Sequence, residues 1–308
     1  LQKDNFMRAA VIDLGTNTFH LVIADLSDQI KVLYKTNIPV KLGEGRINDN
    51  IIIPEAFERG LQALKQFSEQ IDRYQIKKVK ATATSAIRSA LNGTDFVKAA
   101  KERSGIDIEV ISGDREAEYI FKGVQASGAV QKMSLIMDIG GGSTEFILCS
   151  PDELFWKKSY NLGAARLMQA YFKSDPISKK DQSLITKHLD AELSSLKEAC
   201  NKYQPEILIG SAGAFETFAT MILKDPSAGT RPSCSIPLEG YKKLSSHLIT
   251  STHAERSEME GLIPLRVDMI VLAVLLTNYV LDKTGLKKIE LSSYDLKMGV
   301  LYHLLQTK

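Results

Sequence analysis

Val11-Ile12-Asp13-Leu14-Gly15-Thr16-Asn17-Thr18-Phe19-His20-Leu21-Val22-Ile23 and Ile136-Met137-Asp138-Ile139-Gly140-Gly141-Gly142-Ser143-Thr144-Glu145-Phe146-Ile147-Leu148 are one pattern written twice, and they align without a gap. In each, an apolar run arrives at an aspartate, breaks at a glycine-containing turn and resumes as a second apolar run. Short apolar runs bounded by turn residues read as the two arms of a β-hairpin. A chain that opens two stretches this way is constrained towards two related α/β units.

The residues after each hairpin support that reading. After the first, residues 30–42 read as a third strand broken by Gly43-Glu44-Gly45, and Pro54 opens an amphipathic helix through Tyr74. Lys78 to Thr82 reads as a strand, Ser85 to Ala90 as a short helix, and Thr94 as the cap of a helix ending at Gly105. Ile108 to Ile111 reads as a buried strand, and Asp114 to Ala126 as a helix. After the second hairpin come a strand near 154–160, a helix beyond Gly163 and a long helix over about 179–203. Glu206 to Ile209 then runs as a strand into Gly210-Ser211-Ala212-Gly213. Helices dominate to Thr284, a last strand covers 288–291 and a terminal helix covers 295–305. The order predicts one domain over 1–127, completed by the C-terminal helix 295–308, and a second over 128–294, with a cleft between pseudo-twofold lobes.

A length of 308 residues, 44% hydrophobic and 25% charged, is enough for two separate cores. The longest apolar candidate, Met269 to Leu276, is far short of a membrane span, so a soluble protein without a membrane partner is expected. Residues 1–6 lack signal-peptide grammar, and Met7 reads as a natural start after a short arm. Cys149, Cys200 and Cys234 are odd in number and lack metal-ligand spacing, which fits reduced thiols and a cytoplasmic location. A net charge of +2 does not call for nucleic acid, although Lys77-Lys78-Val79-Lys80, Lys157-Lys158 and Lys287-Lys288 could each draw in a polyanion or simply line a solvated face.

The hairpins themselves suggest chemistry. A strand that ends in Asp138 and runs into Gly140-Gly141-Gly142-Ser143 gathers backbone N–H groups around a concave space suited to phosphate oxygens. The carboxylate suits Mg²⁺ and its waters. Asp138 and Glu145 sit on opposite arms of one hairpin and make a plausible metal clamp. The first copy offers Asp13, Gly15, Thr16, Asn17 and Thr18, but places His20 where the second has Glu145, and His20 reads as an ordinary strand residue. Arg88, at the start of a short helix, suits a phosphate. It equally suits an ion pair with Glu116 or Asp114.

Asp13-x-Gly15-Thr16-Asn17 with Asp138-x-Gly140-Gly141-Gly142-Ser143 resembles the superfamily of sugar kinases, actin and heat-shock-protein ATPases. Within it, Thr84-Ser85-Ala86-Ile87-Arg88-Ser89-Ala90, Ile111-Ser112-Gly113-Asp114-Arg115-Glu116-Ala117 and the second hairpin resemble the exopolyphosphatase/guanosine pentaphosphate phosphatase family in its short two-domain form. Lys41 to Gly45, Gly210 to Gly213, Gly261 to Asp268 and Ser292 to Gly299 add further matching blocks in order. Two departures are Arg46, where an apolar residue is common, and Val267, where Ala is common.

The resemblance implies two ribonuclease H-like, actin-like ATPase domains with the active site in the cleft. It implies hydrolysis of the terminal phosphoanhydride of inorganic polyphosphate, of guanosine pentaphosphate or of both, by a cytoplasmic homodimer. By its place in the Ser-Gly-x-x-Glu-Ala block, Glu116 would be the general base; by itself, a first-turn glutamate also reads as a solvated acid favoured by the helix dipole. The expected metal site is Asp138 and Glu145 with Asp13. The expected phosphate contacts are Gly15, Thr16, Asn17, Thr18, Arg88, Gly140, Gly141, Gly142, Ser143, Gly210, Ser211 and Gly213, while Arg266 could reach the same polyanion but also fits a helix-start salt bridge with Asp268. A small-molecule kinase and a non-catalytic alarmone-binding regulator are the rival readings.

Overall fold

The computed structural model describes residues 7–307, so the arm read before Met7 and the terminal Lys308 lie outside the described residues. The chain divides into two compact units, Leu1–Gly123 with Leu296–Lys308, and Val124–Asp295. The first unit contains β1 (Arg8–Leu14), β2 (Thr18–Asp25), β3 (Lys31–Pro39), α1 (Pro54–Arg73), β4 (Lys78–Ala83), α2 (Ser85–Ser89), α3 (Gly93–Ser104), β5 (Ile108–Val110) and the first part of α4 (Gly113–Ala126). The second runs through β6 (Ser134–Ile139), β7 (Thr144–Cys149), β8 (Leu154–Tyr160), α5 (Ala164–Tyr171), α6 (Lys179–Glu192), α7 (Ser194–Tyr203), β9 (Ile207–Ser211) and α8 (Gly213–Leu223). It ends with β10 (Ser233–Ile236), α9 (Leu238–Thr250), α10 (His253–Ser257), α11 (Ile270–Thr284) and β11 (Ile289–Ser292), after which α12 (Leu296–Gln306) belongs to the first unit.

The two sheets are versions of one design. The first has the order β3-β2-β1-β4-β5, and the second has β8-β7-β6-β9-β11 with β10 added beyond β11. In both, the opening hairpin and its third strand are antiparallel, and the next two strands join in parallel. The registers also agree. Asp13 faces His20 across its hairpin and lies beside Thr82 on the parallel neighbour, as Asp138 faces Glu145 and lies beside Ser211.

Each unit has its own core. In the first, α1 starts at a proline, whose missing N–H costs nothing there. It buries Ala56, Leu61, Leu64, Phe67 and Ile71 against a sheet that contributes Ile12, Leu14, Phe19 and Leu21. Phe96 of α3 packs edge-on against Phe19 and Phe57, with ring centroids 6.2 and 5.1 Å apart. Full burial of side chains of this size stabilises by about 1.5–3 kcal/mol each, which is what holds short helices on a sheet. In the second, α11 lays Val271, Leu272, Val274 and Leu276 into a core shared with Phe146, Leu148, Phe215 and Phe218. No helix among the described residues is long and apolar enough to cross a membrane. All three cysteines are free thiols; burial pushes Cys149 up to about 12 and Cys200 to about 11, so neither is a ready nucleophile.

Four local readings change. Thr94 is not a cap: α3 begins at Gly93, and the Asn92 amide before it is spent on both backbone groups of Ile52, at 3.1 and 2.8 Å. Strand β5 is not buried, because it is an edge strand paired only to β4, with Glu109 and Val110 exposed. The single long helix is two, broken at Leu193. The break keeps Ile185 and Leu189 of α6 and Leu196 and Cys200 of α7 all in one core. Strand β10 escapes sequence reading because Ser233-Cys234-Ser235-Ile236 has too few apolar positions to show alternation; it forms by pairing with β11.

Gly299 fixes where α12 sits in the first unit. A Cβ there would lie 1.7 Å from the Tyr119 carbonyl oxygen of α4, so the two helices meet backbone to backbone. Gly299→Ala should therefore destabilise the first unit by about 1–3 kcal/mol or more through overpacking. Urea unfolding read from a probe in that unit would show it, and an unchanged midpoint would contradict the contact.

Candidate active site

In open α/β sheets ligands collect where strands end and neighbouring connections diverge. In the first unit β1 and β4 run parallel and stop together at Leu14 and Ala83, and the turn Gly15–Asn17 and the Thr84–Ser85 junction leave from there. The turn is held from behind. Gly15 donates to the Thr18 carbonyl (3.2 Å), Gly43 donates to the Thr16 carbonyl (3.2 Å), and Val40 and Lys41 both donate to the Asn17 carbonyl (2.9 and 2.8 Å). Thr84 anchors the other junction, its N–H and its hydroxyl both donating to the Leu14 carbonyl.

Arg88 and Glu116 meet here. From α2, Arg88 donates to the Ile111 carbonyl at 3.1 Å and to Glu116 Oε2 at 2.8 Å. Glu116 is in the first turn of α4 and only 7% exposed, so it is not the solvated first-turn acid that its position alone suggested. A charge-assisted bond of this kind is roughly twice as strong as a neutral one and fixes the carboxylate's orientation. Asp13 has the Lys297 ammonium of α12 3.9 Å from its Oδ2, with both side chains largely buried. Ser85 Oγ is buried and has no hydrogen-bond partner among the described residues. A hydroxyl left in that state costs about 1–3 kcal/mol unless a ligand or water satisfies it.

The second unit repeats the turn. Gly140 donates to the Ser143 carbonyl at 2.9 Å, the equivalent of the Gly15 bond. The carbonyls of Gly140 and Gly141 accept from Ala164 and Ala165 at 2.9 Å, and the Gly142 carbonyl accepts from Arg166 Nε at 2.9 Å. Every bond in that set occupies a carbonyl of the loop, and the amides of Gly141, Gly142 and Ser143 take no part in it. Gly163 makes this approach possible, since a Cβ there would sit 2.2 Å from the Gly141 oxygen. With the carbonyls of the loop tied down, the backbone N–H groups of Gly141, Gly142 and Ser143 are the donors the turn has left for an anion.

Asp138 and Glu145 are direct cross-strand partners, so their side chains share one face. Asp138 Oδ2 accepts from Ser211 Oγ at 2.8 Å, and Glu145, 2% exposed, accepts from Ser159 Oγ at 2.6 Å. Two carboxylates steered by hydroxyls fit a hard divalent cation that takes one or two protein carboxylates and fills its remaining positions with water and phosphate oxygens. Among the described residues no group of three or more His, Cys, Asp or Glu is placed to hold a metal by itself.

Other sequence-named residues have local tasks. Gly210 lies inside β9 with the Phe215 ring in the space of a Cβ, at 1.8 Å, so its smallness serves packing. Ser211 acts through Asp138, and Gly213 begins α8 at φ +49°, next to Ala212 at φ +43°. Arg266 donates to Glu216 and Thr217 at 2.7 and 2.6 Å. Sequence reading missed Ser85, Ser159, Arg166 and Lys297. Ser85 and Lys297 lay inside quoted motif blocks, whereas Ser159 and Arg166 become visible only through the sheet register and the α5 contact.

Residues 21–308 match the sequence model described as the Ppx/GppA phosphatase family. Among solved structures, an exopolyphosphatase from Cytophaga hutchinsonii is 39% identical, with a TM-score of 0.93 over 97% of this chain and 98% of that one. The Aquifex aeolicus Ppx/GppA family member is 24% identical, with a TM-score of 0.82 over 98% and 99% of the two chains, and shows the same fold. A Fusobacterium nucleatum bifunctional 3-dehydroquinate synthase/phosphatase is 33% identical over 99% of this chain. The match spans about half of that relative's length, 48%.

The Arg88–Glu116 bond gives a stability test. Arg88→Met leaves a buried carboxylate without its guanidinium and should cost about 1–3 kcal/mol. Adding Glu116→Gln should recover most of it. A double-variant loss equal to the sum of the Arg88→Met and Glu116→Gln losses, measured by urea unfolding, would mean that the two side chains are not coupled.

Proposed function

Because the chain belongs to the Ppx/GppA phosphatase family, we propose that it hydrolyses the terminal phosphoanhydride of inorganic polyphosphate and releases orthophosphate. The observation that carries the reading is the buried Glu116 carboxylate held by Arg88 at 2.8 Å, a positioned proton acceptor beside the end of a strand pair. The 39% identical exopolyphosphatase structure supports polyphosphate as the substrate. The family joins Ppx with GppA, which keeps guanosine pentaphosphate as the second candidate; both present the same terminal phosphate.

In this reading Glu116 accepts a proton from water while the water oxygen attacks the terminal phosphorus. The bond from that phosphorus to the bridging oxygen breaks, and the shortened chain leaves with the bridging oxygen. The amides of the Gly15–Asn17 turn, with the Arg88 guanidinium, donate to phosphate oxygens as charge shifts onto them. The buried Ser85 hydroxyl is available for the same purpose. Asp138 and Glu145, oriented by Ser211 and Ser159, would hold Mg²⁺. When bound, the cation would neutralise phosphate charge. A homodimer belongs to the same proposal.

Glu116→Gln keeps the shape and an oxygen that can accept from Arg88, but it removes the base. Turnover should fall about a hundred- to ten-thousand-fold with substrate binding retained. The measurement is phosphate release from short polyphosphate, long polyphosphate and guanosine pentaphosphate side by side with Mg²⁺. Release by Glu116→Gln at the unaltered rate would remove Glu116 from this role. Release from none of the three by the unaltered protein would remove the reading itself.

A further inference from the structure

Helices α4 and α12 assemble a second group of cations that shares no residue with the candidate active site. Arg115, Tyr119 and Lys122 succeed one another at helical spacing on one side of α4, and His303 of α12 lies between the two basic side chains. Lys122 Nζ is 3.3 Å from His303 Nδ1, and an Arg115 Nη is 3.4 Å from Nε2. The Arg115 guanidinium also lies over the Tyr119 ring, 4.4 Å from its centroid, and Tyr119 and His303 have ring centroids 5.6 Å apart. Lys78 and Lys80 project from one face of β4, at the end of that strand away from Thr84.

The hydrogen-bond inventory of this group does not close. Lys and Arg only donate, and a neutral imidazole has one acceptor nitrogen and one N–H. Two cationic donors therefore face a ring that can accept from one of them; Arg115 also donates to the Tyr119 hydroxyl at 3.0 Å and to Glu118 at 2.8 Å, so the cation left without an anionic acceptor is Lys122. Nearby carboxylates do not correct this: Glu118 is paired with Arg115, and Glu109 with Lys80. Among the described residues, Lys122 and Lys78 form no ion pair with a carboxylate. What the group lacks is an acceptor with several lone pairs and negative charge.

We propose that Lys122 and His303, supported by Arg115, Lys78 and Lys80, form a binding site for a phosphate oxyanion, distinct from the residues assigned to hydrolysis. A phosphate oxygen seated between Lys122 and His303 supplies the missing acceptor and allows the imidazole to donate from both nitrogens. The state of His303 agrees. Burial first, and then the charges of Lys122, Arg115, Lys80 and Lys78, hold its pKa below the ordinary histidine value, which favours the neutral ring. A bound anion favours the protonated ring and raises that pKa. By linkage, anion affinity then increases as pH falls through the bound-state value.

The test tracks the His303 ring by NMR in the full-length protein, in EDTA so that nothing depends on turnover, with His303→Gln used to identify its signals. Tripolyphosphate and orthophosphate are titrated separately at several pH values. We expect one or both to raise the His303 pKa by about one unit or more. We also expect tighter binding near about pH 6 than about pH 8. Response to tripolyphosphate alone identifies a condensed phosphate as the occupant, and response to both identifies a single phosphate group. Lys122→Gln, a change at a partly exposed side chain, should abolish the anion-induced rise even though it alters the anion-free value. No rise with either anion, or an equal rise in Lys122→Gln, would overturn the site.

Discussion

The arrangement on which everything else depends is an antiparallel pairing in which a strand ends on aspartate, turns through glycine and returns with residue seven opposite residue zero. In both units a glycine N–H closes the turn onto the carbonyl three residues on, at 3.2 Å from Gly15 and 2.9 Å from Gly140. That bond fixes the register, and the register puts both side chains of the facing pair on one side of the sheet. A slip of one residue would send Glu145 to the opposite face from Asp138. The serines result from the same pairing, because Ser211 stands beside Asp138 and Ser159 beside Glu145 through the neighbouring strands.

The two copies have diverged around a constant backbone. In the second unit the facing pair is two carboxylates held by hydroxyls, suited to a cation. In the first, the facing residue is His20, and Asp13 has an ammonium nearby from Lys297. The first unit instead brings forward Arg88 and Glu116, which belong to neither hairpin and meet because α2 and α4 both leave the same end of parallel strands. The two units share one backbone platform and differ in the side chains at a few strand-end positions.

Much of this was legible in the residues. Hairpin register comes from the gapless alignment, since side-chain direction alternates strictly along a strand. The helix from Pro54 and the strand from Lys78 were readable from apolar spacing and proline placement. Readings failed where a neighbour overrode local pattern. The helix read from a Thr94 cap starts instead at Gly93, Leu193 broke a helix to keep two faces on one core, and β10 formed on pairing alone.

The sequence by itself determined the two-unit α/β design, the aspartate-glycine turns and the set of residues worth testing, because these rest on short-range spacing that any chain of L-residues must obey. Only the tertiary structure decided which of those residues meet. It buried Glu116 under Arg88, left Ser85 Oγ without a partner, put Lys297 beside Asp13 and turned Gly210 towards the Phe215 ring. It also brought His303 between Arg115 and Lys122 from helices more than a hundred residues apart in sequence. Such contacts depend on how helices pack over a sheet, and packing is set by the whole core rather than by any local run of residues.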